Sequence, residues 1–238
     1  MTNAIQLQQV TKQYDSKTVL QNLSLHVDEG EFVTLVGPSG SGKSTIFNIV
    51  AGLEDISAGT VNIAHPIGYM QQKDLLLPWK TVLENVVLPL DLQGKSKSES
   101  REKALQLLSK VDLVGYEHKY PHELSGGMRQ RVNFLRTFLT SQQILLLDEP
   151  FGALDSMTKA NMQQWLLSIK EEFNLTVLFI THDIEEAVLL SDRIYVLSPR
   201  QYTIVEIEVP FLQQQKALRA EAPEMLKLKK EIVDKLAL

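Results

Sequence analysis

The feature of this 238-residue sequence that most restricts its fold is an apolar run that leads directly into a turn of small residues. Phe32–Val36 form the run, and the turn Gly37–Thr45 reads G-P-S-G-S-G-K-S-T. A continuous apolar run is typical of a strand that is covered on both faces, as the strands of parallel sheets are. A helical pattern follows over residues 46–53. Strand, glycine-containing turn and helix in this order predict an α/β fold.

The same order of elements recurs later in the chain. Ile144–Leu147 and Thr176–Ile180 are further apolar runs of strand length. Between them lies one apolar stripe with helical spacing, formed by Met162, Trp165, Leu166, Ile169 and Phe173. We interpret Trp165 as a core residue. The alternation of strands and helices predicts a mainly parallel sheet with right-handed crossovers.

The N-terminal part of the chain follows a different period. Ile5–Val10 and Leu23–Val27 alternate between apolar and polar residues, which predicts two half-buried strands. Val61–Ile63 and Ile67–Met70 are shorter strand candidates.

Helical patterns dominate from about residue 82 to about residue 139, which predicts an inserted helical lobe. Ser96–Glu99 has the spacing of a capping box at a helix start. Leu105, Leu108 and Val111 are predicted to share the apolar face of the helix that follows.

The residues after about 200 are predicted to form a short tail. Residues 201–210 have the pattern of a final strand pair, and Met225–Leu236 that of an amphipathic helix. We therefore expect a single domain over residues 1–238 that ends in a short tail from about residue 201.

The amino-acid composition excludes several classes of function for this chain. The formal net charge is −5, which gives no broad basic surface for nucleic acid. There are no cysteines, so disulfides, thiolate catalysis and cysteine-ligated zinc are excluded. The first residues lack the pattern of a signal peptide, and the apolar runs are too short to cross a bilayer. We expect a soluble protein whose membrane role, if it has one, comes through a partner.

The turn after the first apolar run matches the P-loop pattern G-x-x-x-x-G-K-[ST] in full. Its glycines let successive backbone N–H groups point towards a phosphate, and the following helix adds its positive end. Lys43 is expected to reach the β- and γ-phosphates of ATP, and the Ser44 hydroxyl to ligate Mg²⁺. The predicted ATP-binding residues of this turn are Gly37, Pro38, Ser39, Gly40, Ser41, Gly42, Lys43, Ser44 and Thr45.

Two further apolar runs end in residues suited to ATP hydrolysis. Asp148 and Glu149 follow the run at Ile144–Leu147, at the strand end where open α/β sheets bind ligands. Asp148 is expected to hold Mg²⁺, and Glu149 to polarise the attacking water. His182 follows the other run and is expected to hydrogen-bond the γ-phosphate and that water. The other four histidines have no such context.

The combined motifs resemble the ATPase subunits of ABC transporters over about residues 5–200. The matching stretches read G-P-S-G-S-G-K-S-T, L-S-G-G-M-R-Q-R, L-L-L-D-E-P, A-L-D and I-T-H-D. The signature Leu124-Ser-Gly-Gly-Met128 is specific to this family, whereas many families share the P-loop. The resemblance implies a P-loop NTPase with a mainly parallel core sheet, an N-terminal antiparallel β subdomain and an inserted α-helical subdomain.

The resemblance also explains why one chain has two glycine-containing turns. In the family, two copies form a head-to-tail dimer that holds two ATP molecules. Ser125, Gly126 and Gly127 of one copy would then contact the ATP on the P-loop of the other, at a helix N-terminus. Asp155, in the loop Ala153-Leu-Asp155, matches a residue that crosses the dimer interface near ATP.

Two more site residues follow from the resemblance. Tyr14 stands where an aromatic ring stacks on adenine, although a lone exposed tyrosine in a loop is the alternative. Gln72 matches a glutamine that touches Mg²⁺ and relays to the membrane subunit. Gln71 is its rival, and the spacing to Leu76–Trp79 favours Gln72.

The partners implied are membrane permease subunits and, indirectly, a solute-binding protein, at the cytoplasmic face of the cell membrane. The stretch Leu75–Asn85 resembles the groove that receives a helix of the permease in the ATPase subunits of importers for nitrate, sulfonates and taurine. Pyrimidine precursors of thiamine are the alternative solutes. Val132–Leu139 departs from the family by having large residues around Arg136, which predicts a locally repacked helix with activity retained.

Three rival functions differ in what the sequence should contain. A small-molecule P-loop kinase needs no L-S-G-G-M turn. A non-transport ABC ATPase that acts on DNA or ribosomes usually has long coiled coils or two cassettes in one chain. A scaffold that binds ATP without turnover needs neither Glu149 nor His182.

Overall fold

The computed structural model describes residues 2–15, 17–152, 154–198, 203–210 and 223–236. The chain forms two compact units, the first comprising Met1–Pro66 and Asn174–Leu238 and the second Ile67–Phe173.

The described elements are named here in chain order. The strands are β1 (Asn3–Tyr14), β2 (Lys17–Asp28), β3 (Phe32–Val36), β4 (Ala58–Ile63), β5 (Ile67–Met70), β6 (Ile144–Asp148), β7 (Thr176–Ile180), β8 (Arg193–Ser198) and β9 (Thr203–Glu208). The α-helices are α1 (Lys43–Val50), α2 (Val82–Leu92), α3 (Lys97–Lys110), α4 (Gly126–Thr140), α5 (Ser156–Phe173), α6 (Ile184–Leu190) and α7 (Pro223–Leu236).

One sheet of the first unit is antiparallel, with β1 between β2 and β4. Ile5 lies opposite Val27 of β2 and opposite Ile63 of β4. The apolar side chains Ile5, Leu7 and Val10 are buried, as the alternating pattern predicted. The predicted strands at Ile5–Val10 and Leu23–Val27 are therefore confirmed.

The first unit also contains a mainly parallel group of strands around β3. β7 and β8 run parallel to β3 on its two sides, and β9 pairs antiparallel with β8. Every residue of β3 and β7 is buried, which explains their continuous apolar sequence. The expected strand pair within residues 201–210 is wrong, because the described residues of this stretch form one strand whose partner, β8, precedes them.

The C-terminal helix α7 packs on the first unit through one face. Met225, Leu228 and Ile232 are buried in a cluster that includes Val188 of α6 and Val196 of β8. Their spacing of three and four residues is that of an amphipathic helix, as the sequence predicted.

The second unit combines the parallel pair β5–β6 with the helices α2–α5. The large residues that depart from the family in α4 pack on aromatic rings of α5. The ring centroids of Phe134 and Trp165 are 5.0 Å apart, and those of Phe138 and Phe173 are 5.3 Å apart. The bulky residues of α4 thus pack in edge-to-face pairs with rings of α5, and α4 is one continuous helix over Gly126–Thr140.

One detail of the helical prediction was wrong. Leu105 is exposed, and the buried face of α3 is instead formed by Ser100, Ala104, Leu107 and Leu108. Because Ala104, at the centre of this buried face, is small, the pattern of apolar residues did not show which side of α3 is buried. The Ser96 hydroxyl does accept a hydrogen bond from Glu99 N, at 3.3 Å. A reciprocal capping box forms at the start of α2, between Thr81 and Glu84.

None of the helices formed by the described residues combines the length and the apolar character that a bilayer span requires.

Candidate nucleotide-binding site

The P-loop of the first unit is a turn that only glycine can complete at two points. β3 ends at Val36, and α1 begins at Lys43. Gly42 has a φ of 96°, and a Cβ atom there would lie 2.7 Å from Cδ2 of Leu20. A Cβ atom at Gly37 would lie 2.9 Å from the carbonyl oxygen of Leu197. Larger residues would therefore displace the turn from the strands that support it.

Lys43 lies across this turn. Its Nζ donates hydrogen bonds to the carbonyl oxygens of Gly37 at 2.7 Å and Pro38 at 2.9 Å. Ser44 follows it and is exposed. The first turn of α1, all of whose residues are described, has no acidic residue and no side-chain cap. The positive end of α1 and the Lys43 ammonium thus favour an anion at the turn.

His182 lies at the same edge of the sheet as the P-loop. β3 and β7 are parallel, with Leu35 opposite Ile180, so their carboxyl ends coincide. His182 is exposed two residues after β7. The next residue, Asp183, caps α6 through hydrogen bonds from Glu185 N and Glu186 N, at 2.9 and 3.3 Å. This cap fixes the backbone that presents the imidazole.

Tyr14 ends β1 with 41% of its surface exposed. Its hydroxyl donates a hydrogen bond to Oε2 of Glu54. Nζ of Lys12 lies 4.7 Å from the ring centroid. The ring is therefore held in place rather than projecting from a free loop.

Gln72 and Glu149 meet in the second unit. β5 and β6 are parallel, with Met70 opposite Leu147, so both residues follow the same strand edge. Nε2 of Gln72 donates a hydrogen bond to Oε2 of Glu149 at 3.0 Å. This contact brings together two of the predicted catalytic residues and involves Gln72 rather than Gln71.

Asp148 ends β6 next to Glu149 and is partly buried. Burial and then the negative charge of Asp148 raise the pKa of Tyr69 to about 12. Tyr69 therefore stays a neutral phenol at physiological pH, and the carboxylate is the only one of the two groups to carry charge.

The signature residues form the N-terminus of α4 in the second unit. Ser125 is exposed, and its Oγ accepts a hydrogen bond from Met128 N at 3.2 Å. A Cβ atom at Gly126 would meet only the end of the Arg129 side chain, at 3.9 Å. All residues of the first turn are described, and none of them is acidic. The helix end is thus open to a bulky anion.

Asp155 has a structural role at the start of α5. Its Oδ1 accepts hydrogen bonds from Thr158 N at 3.0 Å and from Met157 N at 3.1 Å. Hydrogen bonds from Thr158, first that of its side chain, lower the pKa of the exposed Asp155 carboxyl. Ala153 of the same predicted loop lies outside the described residues.

The contacts that hold the loop after Gln72 were not predicted from any sequence pattern. Buried Asn85 of α2 accepts a hydrogen bond from Leu77 N at 2.8 Å and donates to the Leu77 and Lys80 carbonyl oxygens. Arg136 of α4 donates to the Leu75 carbonyl oxygen at 2.9 Å.

Asp74 connects this loop to the signature helix. Its Oδ2 accepts a hydrogen bond from Nε of Arg129 at 2.9 Å, and its carbonyl oxygen accepts one from Arg136 at 3.0 Å. Arg129 also donates to the carbonyl oxygen of Leu124, at 2.8 Å. The loop and the start of α4 thus share one set of hydrogen bonds.

The predicted magnesium ligands are a hydroxyl, an amide and a carboxylate. Oxygen donors of this kind suit Mg²⁺, which also retains several waters. Ser44 belongs to the first unit, and Gln72 and Asp148 belong to the second. Among the described residues no group of three or more histidine or acidic side chains is suited to a metal ion.

Comparison with known proteins identifies related chains. The family model described as ABC transporter matches residues 20–152. The formylaminopyrimidine import ATP-binding protein ThiZ of Halalkalibacterium halodurans is 50% identical over 82% of this chain and 80% of its own. The taurine import ATP-binding protein TauB of Yersinia pestis is 44% identical over 82% and 79%. The nitrate import ATP-binding protein NrtD of Synechocystis sp. is 44% identical over 79% and 74%.

Solved structures of similar chains lead to the same family as the sequence matches. The dimeric structure of MJ0796, a bacterial ABC transporter cassette, matches with a TM-score of 0.79 and 36% identity over 86% of this chain and 98% of that one. A second MJ0796 structure, a post-hydrolysis state bound to ADP and phosphate, has the same TM-score and 35% identity, with the same coverage. These matches confirm the predicted fold class. The chain therefore belongs to the ABC transporter family, and its fold is that of the ATP-hydrolysing cassettes of this family.

Proposed function

We propose that this chain binds and hydrolyses ATP as the cytoplasmic subunit of an importer for a small solute. The observation that carries the proposal is the presence of two open, glycine-containing helix N-termini, at Lys43 and Gly126, in one chain. One such terminus is enough for the phosphates of one nucleotide. A second gains a use when a twin copy supplies it.

In this proposal two copies form a head-to-tail dimer with two equivalent ATP sites. Ser125, Gly126 and Gly127 of each copy offer a hydroxyl and backbone N–H groups to the ATP on the other copy, and Asp155 lies near that ATP. The dimeric MJ0796 cassette supports this assembly. ATP then holds the copies together, and its hydrolysis lets them separate.

Each site residue has a distinct part in hydrolysis. Gly37–Thr45 bind the triphosphate, with Lys43 neutralising the β- and γ-phosphates, and Tyr14 stacks on adenine. Ser44, Gln72 and Asp148 would supply oxygen ligands to Mg²⁺, and the ion would neutralise negative charge on the phosphates. Glu149 accepts a proton from the attacking water, and His182 aligns that water with the γ-phosphate.

The same proposal assigns a domain organisation to the chain and a surface that contacts the permease. We infer one domain over residues 1–238, with a helical subdomain at about 82–139 that carries the signature and a short tail from about 201. The exposed side chains Leu75 and Trp79 support contact with membrane permease subunits. That contact would hold the chain at the cytoplasmic face of the membrane, where it serves a solute-binding protein indirectly.

Two solute classes are supported by the relatives. TauB and NrtD are named for taurine and nitrate, which agrees with the expected class of nitrate, sulfonates and taurine. ThiZ, at 50% identity, is named for formylaminopyrimidine, which supports the pyrimidine alternative.

The test is reconstitution of the chain in liposomes with a candidate importer permease and solute-binding protein from the same genome. We expect ATP-dependent uptake of one labelled solute among taurine, nitrate, an alkanesulfonate and formylaminopyrimidine. ATP hydrolysis should rise when the binding protein carries that solute. ATP turnover that is indifferent to the permease, with no uptake of any of the four, would instead favour a non-transport ABC ATPase.

A further inference from the structure

Glu54 lies at the centre of a cluster in the first unit that also contains Lys12, Tyr14 and Asn48. The two carboxylate oxygens of Glu54 have different partners. Oε2 accepts the hydrogen bond of the Tyr14 hydroxyl, and Oε1 accepts one from Nδ2 of Asn48 at 2.9 Å. Glu54 therefore joins the end of β1 to helix α1.

Lys12 completes the cluster on one face of the tyrosine ring. Its Nζ lies 3.6 Å from Oε2 of Glu54 and 4.7 Å from the centroid of the Tyr14 ring. The same ammonium donates a hydrogen bond to the Asp55 carbonyl oxygen at 2.7 Å, and the Lys12 side chain is only 13% exposed. The ammonium thus covers one side of the ring, and exposed ring surface remains for another group.

Asn48 links this arrangement to the helix that follows the P-loop. Besides its side-chain bond to Glu54, its carbonyl oxygen accepts hydrogen bonds from Leu53 N at 2.8 Å and Glu54 N at 3.3 Å. Asn48 lies in α1, whose first residue is Lys43. The position of the Tyr14 ring is therefore fixed relative to the helix whose N-terminus would face the phosphates.

We infer that Glu54 is a positioning residue for recognition of the nucleotide base. It holds the Tyr14 ring by its hydroxyl and keeps Lys12 against one face, so that a base stacks on the remaining face. This inference rests on the proposed function, because it requires Tyr14 to contact the base. A ring that is already fixed loses less conformational freedom when the base binds, which strengthens binding of the base without touching the phosphates.

The test compares ATP with inorganic tripolyphosphate, a probe without a base. Glu54→Ala should raise the Kd and the KM for ATP roughly three- to tenfold, the range expected for one aromatic contact. The kcat and the Kd for tripolyphosphate should stay within about twofold, since the P-loop is unchanged. Glu54→Gln keeps an acceptor for the tyrosine hydroxyl and should restore most of the ATP affinity. Calorimetry and steady-state phosphate release provide these values.

A double-mutant cycle tests whether Glu54 acts through Tyr14. Tyr14→Phe removes the hydroxyl but keeps the ring, so Glu54→Ala should weaken ATP binding less in that background than in the wild type. Equal effects in both backgrounds, or equal losses of ATP and tripolyphosphate affinity, would overturn the inference. If Glu54→Ala does not fold, Tyr14→Phe alone should lower the affinity for ATP relative to tripolyphosphate, because it removes the hydrogen bond to Glu54, and an unchanged ratio would overturn the inference.

Tyr14→Ala separates this inference from the proposed function. If it leaves the ratio of ATP to tripolyphosphate affinity unchanged, the assignment of Tyr14 to adenine is wrong, and the inference fails with it. If it lowers that ratio while Glu54→Ala does not, the role of Tyr14 stands and the role of Glu54 is refuted.

Discussion

The side-chain amide of Gln72 donates a hydrogen bond to the Glu149 carboxylate at 3.0 Å, which links the residues that follow two adjacent parallel strands. The backbone of Glu149 is also constrained. Its φ is 48°, which is uncommon for a residue other than glycine, and its carbonyl oxygen accepts hydrogen bonds from Nε2 of Gln130 and from Gly152 N, each at 3.3 Å. The carboxylate is therefore aimed by its neighbours within the chain.

Glu149→Gln is expected to lower ATP turnover by roughly 100-fold or more, because the variant has no general base. A glutamine oxygen still accepts the hydrogen bond from Gln72, so ATP binding should persist and the dimer should accumulate. Phosphate release and light scattering with saturating Mg-ATP measure the two effects. A variant that stays monomeric under these conditions contradicts the proposed assembly.

Gln72→Ala is expected to lower kcat about tenfold or more, because it removes both a proposed Mg²⁺ ligand and the hydrogen bond that orients Glu149. Gln71→Ala is the matched control, since Gln71 is the adjacent exposed residue of the same type. The two variants should differ in kcat, measured over a range of Mg²⁺ concentrations. Equal losses of activity would mean that the contact with Glu149 does not matter for turnover.

Lys43→Ala is expected to weaken ATP binding at least about tenfold, because the γ-phosphate loses a charge-assisted hydrogen bond. Lys230→Ala changes an exposed lysine of α7 and serves as the control. Calorimetric titration with ATP distinguishes the two variants. Unchanged affinity in Lys43→Ala refutes the assignment of this turn to the phosphates.

Ser125→Arg is expected to abolish hydrolysis while ATP binding by the single copy persists, because the large cation occupies the helix end offered to the second copy. The variant also loses a helix cap, which costs about 1 kcal/mol, or roughly 2–4 °C in Tm. Ser96→Arg loses the equivalent cap on α3, where the hydroxyl accepts from Glu99 N, and controls for this cost. Normal turnover in Ser125→Arg would show that the signature does not act on the other copy.

Glu84→Gln is expected to lower Tm by roughly 1–3 °C at neutral pH. Hydrogen bonds from Thr81, first that of its backbone, lower the pKa of Glu84 below its ordinary value of 4.5. The ionised carboxylate therefore stabilises α2 above pH 4.5, and this contribution disappears as pH falls through the folded-state pKa. Melting curves of wild type and variant should converge in acid, and a difference that persists there contradicts the role of the charge.

The sequence predicted those parts of the structure that local patterns encode. The continuous apolar runs of β3, β6 and β7 and the glycines beside Lys43 and Ser125 each specify their own conformation. The site residues assigned to these elements stay predictions. Gln72 and Glu149 were assigned to hydrolysis separately, and the structure places their side chains in contact.

Other features depend on residues that are distant in sequence and leave no local pattern. The hydrogen bonds of Arg136 to Asp74 and Leu75 span about sixty positions. Leu105 fits the helical period of the sequence but lies on the exposed side of α3. The neighbouring Ala104 is on the buried face, and its small side chain did not mark that face in the sequence. The left-handed backbone of Glu149 is imposed by its surroundings, since no glycine or asparagine marks it.

Buried Asn85 gives the segment Leu75–Lys80 a conformation that does not depend on the side chains it displays. Leu75 and Trp79 are 51% and 70% exposed, while the main chain between them is anchored from below by Asn85 and Arg136. The residues that would determine which permease binds are therefore different from the residues that maintain the conformation of the loop. We expect that exchange of Leu75 and Trp79 changes which permease the chain binds, at little cost in stability. Substitution of Asn85 should instead disrupt the conformation of the loop and so prevent binding to any permease.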